Sequence, residues 1–159
     1  MLSVKNSRTG FDAMTELIEV KTADLSGEAL NWAVGKAERL DLLMAPPVYG
    51  NPWRVFVRYA GEVTTRDVRY APQESWTDGG PLIDKYQLTV SSPLASVHRH
   101  GGPNAGWGPS NNWSACTWTK GVTGRRAIGH HETSALVAAC RAIVAAKLGD
   151  TVQVPKELI

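Results

Sequence analysis

The spacing of apolar residues predicts a strand followed by a helix near the start of the chain. Residues 16–21, with Leu, Ile and Val among charged residues, predict a short strand. From Ala29 onward, apolar residues recur every three or four positions, which predicts a helix with one face towards a core. Ser26 is the expected N-cap of this helix. Trp32 lies off the centre of the apolar stripe, so we expect it to pack at the helix edge or to reach a pocket.

The middle of the chain predicts strands that are joined by loops. Residues 53–60 are rich in β-formers and predict a strand, and residues 63–70 predict a weaker second one. Residues 71–80 predict a loop that ends in a Gly-Gly-Pro turn, because glycine and proline favour turns. A single helical turn over residues 82–86 and a short strand over residues 88–91 complete this part.

The last third of the chain predicts one more strand and a long helix. Residues 113–119 alternate as in a strand, which places Trp113 and Trp118 on opposite faces. The glycines of residues 121–129 predict a mobile hairpin or loop. Residues 134–148 form an apolar, Ala-rich stripe, so we expect a helix that lies close against a sheet or another helix.

Length and composition place these elements in one domain. A chain of 159 residues can bury about 70% of its unfolded surface and needs no disulfide or metal to fold. We predict a flexible lead over residues 1–14 and a single α+β domain over residues 15–159. In this domain a small, mainly antiparallel sheet is packed by two helices, with long Gly/Trp-rich loops. Met14 directly precedes the first regular element, so residues 1–13 could be an extension.

Charge is distributed unevenly along the chain. Residues 85–131, here called the acid-free segment, contain no Asp or Glu, although the chain has 15 acids. These 47 residues hold five of the 17 Lys and Arg, all four His and three of the six Trp. The segment has a formal charge of +5 and the remainder −3, so the whole-chain charge of +2 conceals a polarised molecule. A region without carboxylates does not repel an anion.

The acid-free segment therefore predicts a site for an anionic ligand rather than a particular reaction. Arginine can hold a phosphate in a planar fork, tryptophan can stack a base, and glycine N–H groups can face a phosphate. The candidate ligand residues, two of which precede the segment, are Trp76, Gly80, His98, Arg99, His100, Trp107, Trp118, Arg125, Arg126 and His130. The alternative is a solvated Gly-rich loop without a ligand.

The histidines leave two chemical alternatives open. His98 and His100 have strand spacing, so their rings should face the same side, and a metal site is conceivable. His131 begins a His-x-Thr sequence, the form used by two-histidine phosphoesterases, but a second such motif is missing. The segment also lacks an acid that could orient a metal-bound histidine. We predict binding without catalytic residues, and neither a metal nor a cofactor.

Composition excludes several classes of partner. No apolar run approaches the ~20 residues of a membrane span, so we expect no membrane partner. The cations are sparse and separated by Gly and Trp, which does not suit duplex nucleic acid. Cys116 and Cys140 fit neither a disulfide framework nor a zinc motif, so we expect free, mostly buried thiols.

Three motifs resemble a family of small tailed-phage proteins, the NinX-like proteins. The first runs from residue 18 to 34 and includes Val-Lys-Thr-Ala-Asp-Leu-Ser-Gly. The second is Trp-Thr-Asp-Gly-Gly-Pro-Leu-Ile at residues 76–83, and the third covers residues 138–155. The lead before Met14 and the stretch from Trp107 to His131 depart from the family pattern.

The resemblance implies a phage-encoded protein that works in the cytoplasm of the infected bacterial host. It implies no established catalytic residues. Phages encode small proteins that sequester or cleave nucleotide signals of host defence, and an aromatic, anion-friendly site suits that role. We therefore predict an accessory protein that sequesters a nucleotide-derived small molecule, such as a cyclic ADP-ribose-type or cyclic nucleotide signal. A signal-cleaving enzyme and a protein-binding module are the alternatives. We also expect a homo-oligomer, for which the last helix could serve as a dimer face.

Overall fold

The α+β fold class is confirmed by the computed structural model, which describes residues 15–103, 105–118 and 126–159. Within these residues, ten strands and three α-helices follow one another: β1 (Leu17–Lys21), α1 (Gly27–Ala37), β2 (Leu42–Ala45), β3 (Arg54–Ala60), β4 (Thr65–Arg69), α2 (Trp76–Lys85), β5 (Thr89–Ser91), β6 (Ser96–Arg99), β7 (Gly106–Pro109), β8 (Trp113–Trp118), β9 (Arg126–His131), α3 (Ala135–Leu148) and β10 (Thr151–Pro155). The flexible lead predicted over residues 1–14 lies outside the described residues.

The strands form small sheets in which every pairing is antiparallel. β1 pairs with β10, β3 lies between β2 and β4, β8 lies between β5 and β9, and β6 pairs with β7. The antiparallel character was predicted, but the expectation of one sheet was wrong, because the described strands form four. The strands are only three to seven residues long, and some partners, such as β1 and β10, come from distant parts of the chain.

Helices α1 and α3 pack against each other and supply most of the core. The predicted apolar stripe of α1 is buried, with Leu30 and Val34 fully covered. Ile143 and Val144 of α3 are buried in the same cluster. Trp32 is partly buried against this cluster, which confirms that it packs at the helix edge.

The opposite side of α3 lies directly on the β8–β9 strands. Ala138, Ala139 and Ala142 are buried against β8, where small side chains allow close approach. Gly129 lies within β9, and a Cβ there would be 2.6 Å from the Ala142 nitrogen and closer still to the Ala138 carbonyl oxygen. The prediction that Gly129 belongs to a mobile loop is therefore wrong. It is a strand residue that has no side chain because a helix backbone occupies that space.

The Gly-Gly-Pro sequence is the interior of α2 and not a turn, which corrects the sequence prediction. A Cβ on Gly79 would be 2.9 Å from Leu136 Cδ2 and closer still to the Pro72 carbonyl oxygen, so the glycine permits close packing here. Pro81 lies inside the helix, where it removes one N–H donor. Tertiary packing of α2 against α3 therefore outweighs the local turn preference.

The acid-free segment is richer in strands than expected. Strands β5 to β9 occupy much of it, so the prediction of long loops is wrong over these residues. Strand β2 was also missed, because its four residues carry too short a pattern to detect. The suggestion that α3 offers a dimer face is wrong as well, since eight of its residues are buried between α1 and the β8–β9 strands.

Candidate functional site

The β6–β7 hairpin carries three of the predicted ligand residues on one face. His98 is paired directly with Trp107, so both side chains lie on the same side of the hairpin. Their ring centroids are 5.2 Å apart in an edge-to-face arrangement. Those of His98 and His100 are 4.5 Å apart, which confirms the predicted common side. Trp107 is 76% exposed. His98, His100 and Trp107 are called the hairpin face below.

Arg99 lies on the other side of the same hairpin. Alternation along β6 directs its side chain away from that of His98. Its guanidinium Nη2 donates a hydrogen bond to the Pro109 carbonyl oxygen, and a Cβ on Gly108 would be 3.0 Å from its Nη1. Arg99 therefore connects the two strands and supports the hairpin face from behind.

Trp118 and Arg126 form a second group at one end of the β8–β9 ladder. The two residues are directly paired, and the guanidinium carbon lies 5.8 Å from the Trp118 ring centroid, within cation–π range. Trp118 is 64% exposed, whereas Trp113 is partly buried against the alanines of α3. This confirms that the two tryptophans face opposite sides. Arg125 lies outside the described residues.

His130 and His131 lie at the opposite end of that ladder. Five strand residues at ~3.3 Å each place this end about 17 Å from Arg126. His131 Nδ1 accepts hydrogen bonds from two backbone N–H groups before α3, including that of Ser134 at 2.9 Å. The carbonyl oxygen of His130 accepts a hydrogen bond from Arg141 at 2.6 Å. His131 thus connects β9 to α3, which is a structural role.

Trp76 and Gly80 form a third group on α2. Trp76 is 62% exposed at the first position of the helix. A Cβ on Gly80 would be 3.8 Å from Trp76 Cε3, so the ring lies over the glycine one turn later. A helical N–H at the position of Gly80 is used within the helix. Gly80 therefore makes room for the Trp76 ring and does not offer its N–H to a phosphate.

The predicted ligand residues are thus distributed over separate surfaces of the described chain. The base of the β6–β7 hairpin lies next to the end of β8 that carries Trp113. There the Ser110 Oγ lies within hydrogen-bond distance of the Ser92 and Asn112 carbonyl oxygens, to which it can donate. Trp118 and Arg126 lie at the far end of β8. The hairpin face and the Trp118 end each combine an exposed tryptophan with histidines or a cation, whereas Trp76 has only Gly80 beside its ring. Neither of the two cavities described in the structure is lined by these residues.

Sequence reasoning missed a polar cleft between α1, α2 and the β3–β4 strands, here called the tyrosine cleft. Its volume is about 270 Å³, just below the range of ~300–1,000 Å³ that is usual for small-ligand pockets. The lining residues are Glu38, Leu40, Val57, Tyr59, Val68, Arg69, Tyr70, Thr77, Asp78 and Leu82. They come from separate parts of the sequence and share no motif, so only the folded chain brings them together.

The polar groups of the tyrosine cleft are held by a network around Glu38. The side chain of Glu38 is only 8% exposed, and it accepts hydrogen bonds from Lys85 Nζ at 2.5 Å and from the Tyr86 hydroxyl. Burial raises the pKa of Tyr86 above its usual range, and the carboxylate of Glu38 adds to this. Burial likewise raises the pKa of Tyr70, with a further contribution from Glu38. Both phenols therefore stay protonated and can donate or accept hydrogen bonds.

Arg69 closes one side of the cleft and is fully engaged in the fold. Its guanidinium forms an ion pair with Glu28, in which both carboxylate oxygens accept hydrogen bonds. Nη1 also donates to the carbonyl oxygens of Val55 and Tyr70. Because the charge of Arg69 is balanced by Glu28, it does not make the cleft attractive to anions.

Comparison with known proteins identifies the family. None of the helices in the described part of the chain is long and apolar enough to cross a bilayer. Curated proteins give no match to the sequence. The model of the family described as Bacteriophage P22, NinX matches residues 21–147. That range contains most of the first motif, all of the second, the first part of the third and the whole acid-free segment. The match confirms the resemblance seen in the sequence: the chain belongs to the NinX family of phage proteins.

Proposed function

We propose that this phage accessory protein binds a nucleotide-derived anionic small molecule at the hairpin face. The observation that carries the proposal is the exposed Trp107 ring, flanked at its edge by His98, on a hairpin from the acid-free segment. One ring face is free to stack a base. Stacking on an aromatic side chain contributes about 1–3 kcal/mol per base.

Electrostatics around the hairpin support an anion. The acid-free segment carries a formal charge of +5 and no carboxylate, so its own side chains do not repel a phosphate beside Trp107. His98 and His100 present two imidazoles side by side, which can donate hydrogen bonds to phosphate oxygens. Trp118 and Arg126 combine an aromatic ring with a cation and form a second contact surface.

Binding such a molecule without cleaving it would lower its free concentration in the host. A cyclic ADP-ribose-type or cyclic nucleotide signal has the base and phosphate that this surface suits, and its sequestration in the host cytoplasm would block defence signalling. The phosphodiesterase alternative is less well supported. Nδ1 of His131, in its His-x-Thr sequence, already accepts two backbone N–H groups.

Calorimetry with a panel of mono- and cyclic nucleotides tests the proposal. Trp107→Ala should weaken binding by about 1–3 kcal/mol, and it should leave stability nearly unchanged because the side chain is mostly exposed. Tyr49→Ala is the matched control, since Tyr49 is a fully exposed aromatic residue outside the acid-free segment. Equal binding by both variants would refute the role of the hairpin face. Recovery of a cleaved nucleotide by mass spectrometry would support the enzyme alternative.

A further inference from the structure

The tyrosine cleft differs in charge from the acid-free segment. Two carboxylates, Glu38 and Asp78, line it, and the one lining cation, Arg69, is paired with Glu28. Glu38 is balanced by Lys85. Asp78 Oδ2 accepts the Ala71 N–H at 3.1 Å, and Asp78 has no ion-pair partner among residues 15–103, 105–118 and 126–159. The carboxylate of Asp78 is thus not balanced by a cationic side chain in the described part of the chain.

An unsatisfied hydroxyl also points to a missing partner. Tyr70 lines the cleft and is only 8% exposed, and its hydroxyl oxygen has no hydrogen-bond partner in the described part of the chain. A buried polar group without a partner costs about 1–3 kcal/mol. The nearby carboxylates of Glu38 and Asp78 both act on Tyr70 electrostatically, so the three groups lie close to one another. A ligand that donates a hydrogen bond would give the Tyr70 hydroxyl oxygen a partner.

The remaining walls define the shape of the ligand. Leu40, Val57, Val68 and Leu82 supply apolar surface beside the carboxylates. The half-exposed ring of Tyr59 also lines the cleft, where it can contact a cation through its face. A volume of about 270 Å³ accommodates a group the size of one amino-acid side chain.

We propose that the tyrosine cleft binds the guanidinium or ammonium group of a cationic ligand that is carried on a short apolar stem. Asp78 provides the opposing charge, the Tyr70 hydroxyl accepts a hydrogen bond, and the leucine and valine side chains contact the stem. The site is independent of the hairpin face, which takes an anion. The cationic group comes either from a free small amine or from an arginine or lysine side chain of a partner protein.

NMR titration of the full chain with agmatine tests this site. Agmatine should shift the amide resonances of cleft residues, whereas 1-pentanol, which has a similar stem and no charge, should not. Asp78→Asn retains an acceptor for the Ala71 N–H but loses the charge, so it should weaken agmatine binding about tenfold or more. Asp84→Asn is the matched control, because Asp84 is an exposed acid of the same helix outside the cleft, and it should bind as the parent does.

Tyr70→Phe provides a second variant that does not depend on charge. It should fold at least as stably as the parent, since it removes a hydroxyl without a partner, and it should weaken agmatine binding several-fold. The blocked peptide Gly-Arg-Gly distinguishes the sources of the guanidinium. Binding equal to that of agmatine supports a protein side chain, whereas binding of agmatine alone supports a free amine.

The proposal is overturned if agmatine causes no shifts at millimolar concentration, or if Asp78→Asn and Asp84→Asn bind it equally. Failure here is separable from failure of nucleotide binding. Trp107→Ala should not change agmatine affinity, and Asp78→Asn should not change nucleotide affinity, because the two sites take ligands of opposite charge on different elements.

Discussion

Replacement of Gly129 by alanine tests the closest approach found at any glycine in the described part of the chain. A Cβ at this position would stand 2.6 Å from the backbone nitrogen of Ala142 and 2.9 Å from Arg141 Cβ, with the Ala138 carbonyl oxygen closer still. None of these atoms belongs to the far end of a flexible side chain. Helix α3 must therefore move away from β9, and both elements belong to the centre of the fold.

The cost follows from the rigidity of the contacting atoms. Overpacking a core costs about 1–3 kcal/mol, and contact with a helix backbone should place Gly129→Ala at the upper end of that range. A loss of about 3 kcal/mol corresponds to a fall in Tm of roughly 6–12 °C for a domain of this size. Urea unfolding monitored by tryptophan fluorescence measures the change in the free energy of unfolding.

Gly80→Ala is the matched control, because its Cβ would meet only Trp76 Cε3 at 3.8 Å, an ordinary contact. Alanine lowers the entropy of the unfolded chain, but a Cβ next to Pro81 disfavours the helical conformation, so the net change in stability should be small. Gly129→Ala should therefore lower the free energy of unfolding much more than Gly80→Ala does. If Gly129→Ala lies within about 0.5 kcal/mol of the parent, the usual range for surface substitutions, the close approach of α3 to β9 is refuted.

Other predictions concern the tryptophans, the cation surface and the thiols. Trp113→Ala should lower stability by up to about 3–5 kcal/mol, whereas Trp118→Ala should leave the thermal melt unchanged because its side chain is mostly exposed. If Arg126 contacts phosphate, Arg126→Ala should weaken nucleotide binding by about 1.5–3 kcal/mol. Arg126→Lys should restore only part of the affinity, because an ammonium is not a planar fork. An unchanged affinity of Arg126→Ala in calorimetry would exclude that contact. Burial raises the pKa of Cys140 to about 12, so this thiol should resist Ellman's reagent at pH 8 while partly exposed Cys116 reacts. In the unfolded chain the Cys140 thiol ionises near its ordinary pKa of 9.0, whereas in the folded protein it stays protonated up to about pH 12. The free energy of unfolding should therefore fall as the pH rises from about 9 to about 12, which a lower Tm would show.

The amino-acid sequence by itself determined the elements whose signals are local. In α1 and α3 the apolar residues recur every three or four positions over several helical turns. The spacing of these residues alone therefore predicts where the two helices lie in the sequence. Ser134 caps α3, with its Oγ accepting the Val137 N–H at 3.2 Å. The opposite facing of Trp113 and Trp118 follows from the two-residue period of a strand. The family was also evident from motifs, which depend on residue order and not on contacts.

Only the tertiary structure decided how glycine-rich segments fold and where polar groups meet. Gly79 and Gly129 favour turns in the sequence, but Gly79 lies in α2 and Gly129 in β9. At both positions the missing side chain lets the backbone of another segment approach closely. The tyrosine cleft joins Glu38, Tyr70 and Asp78 from an α1 end, a strand end and α2. Such a site depends on contacts between distant parts of the chain. Its carboxylates also lie outside the acid-free segment, where the sequence predicted a ligand site. The distances between residues in space, which no linear pattern contains, therefore determine the candidate sites of this protein.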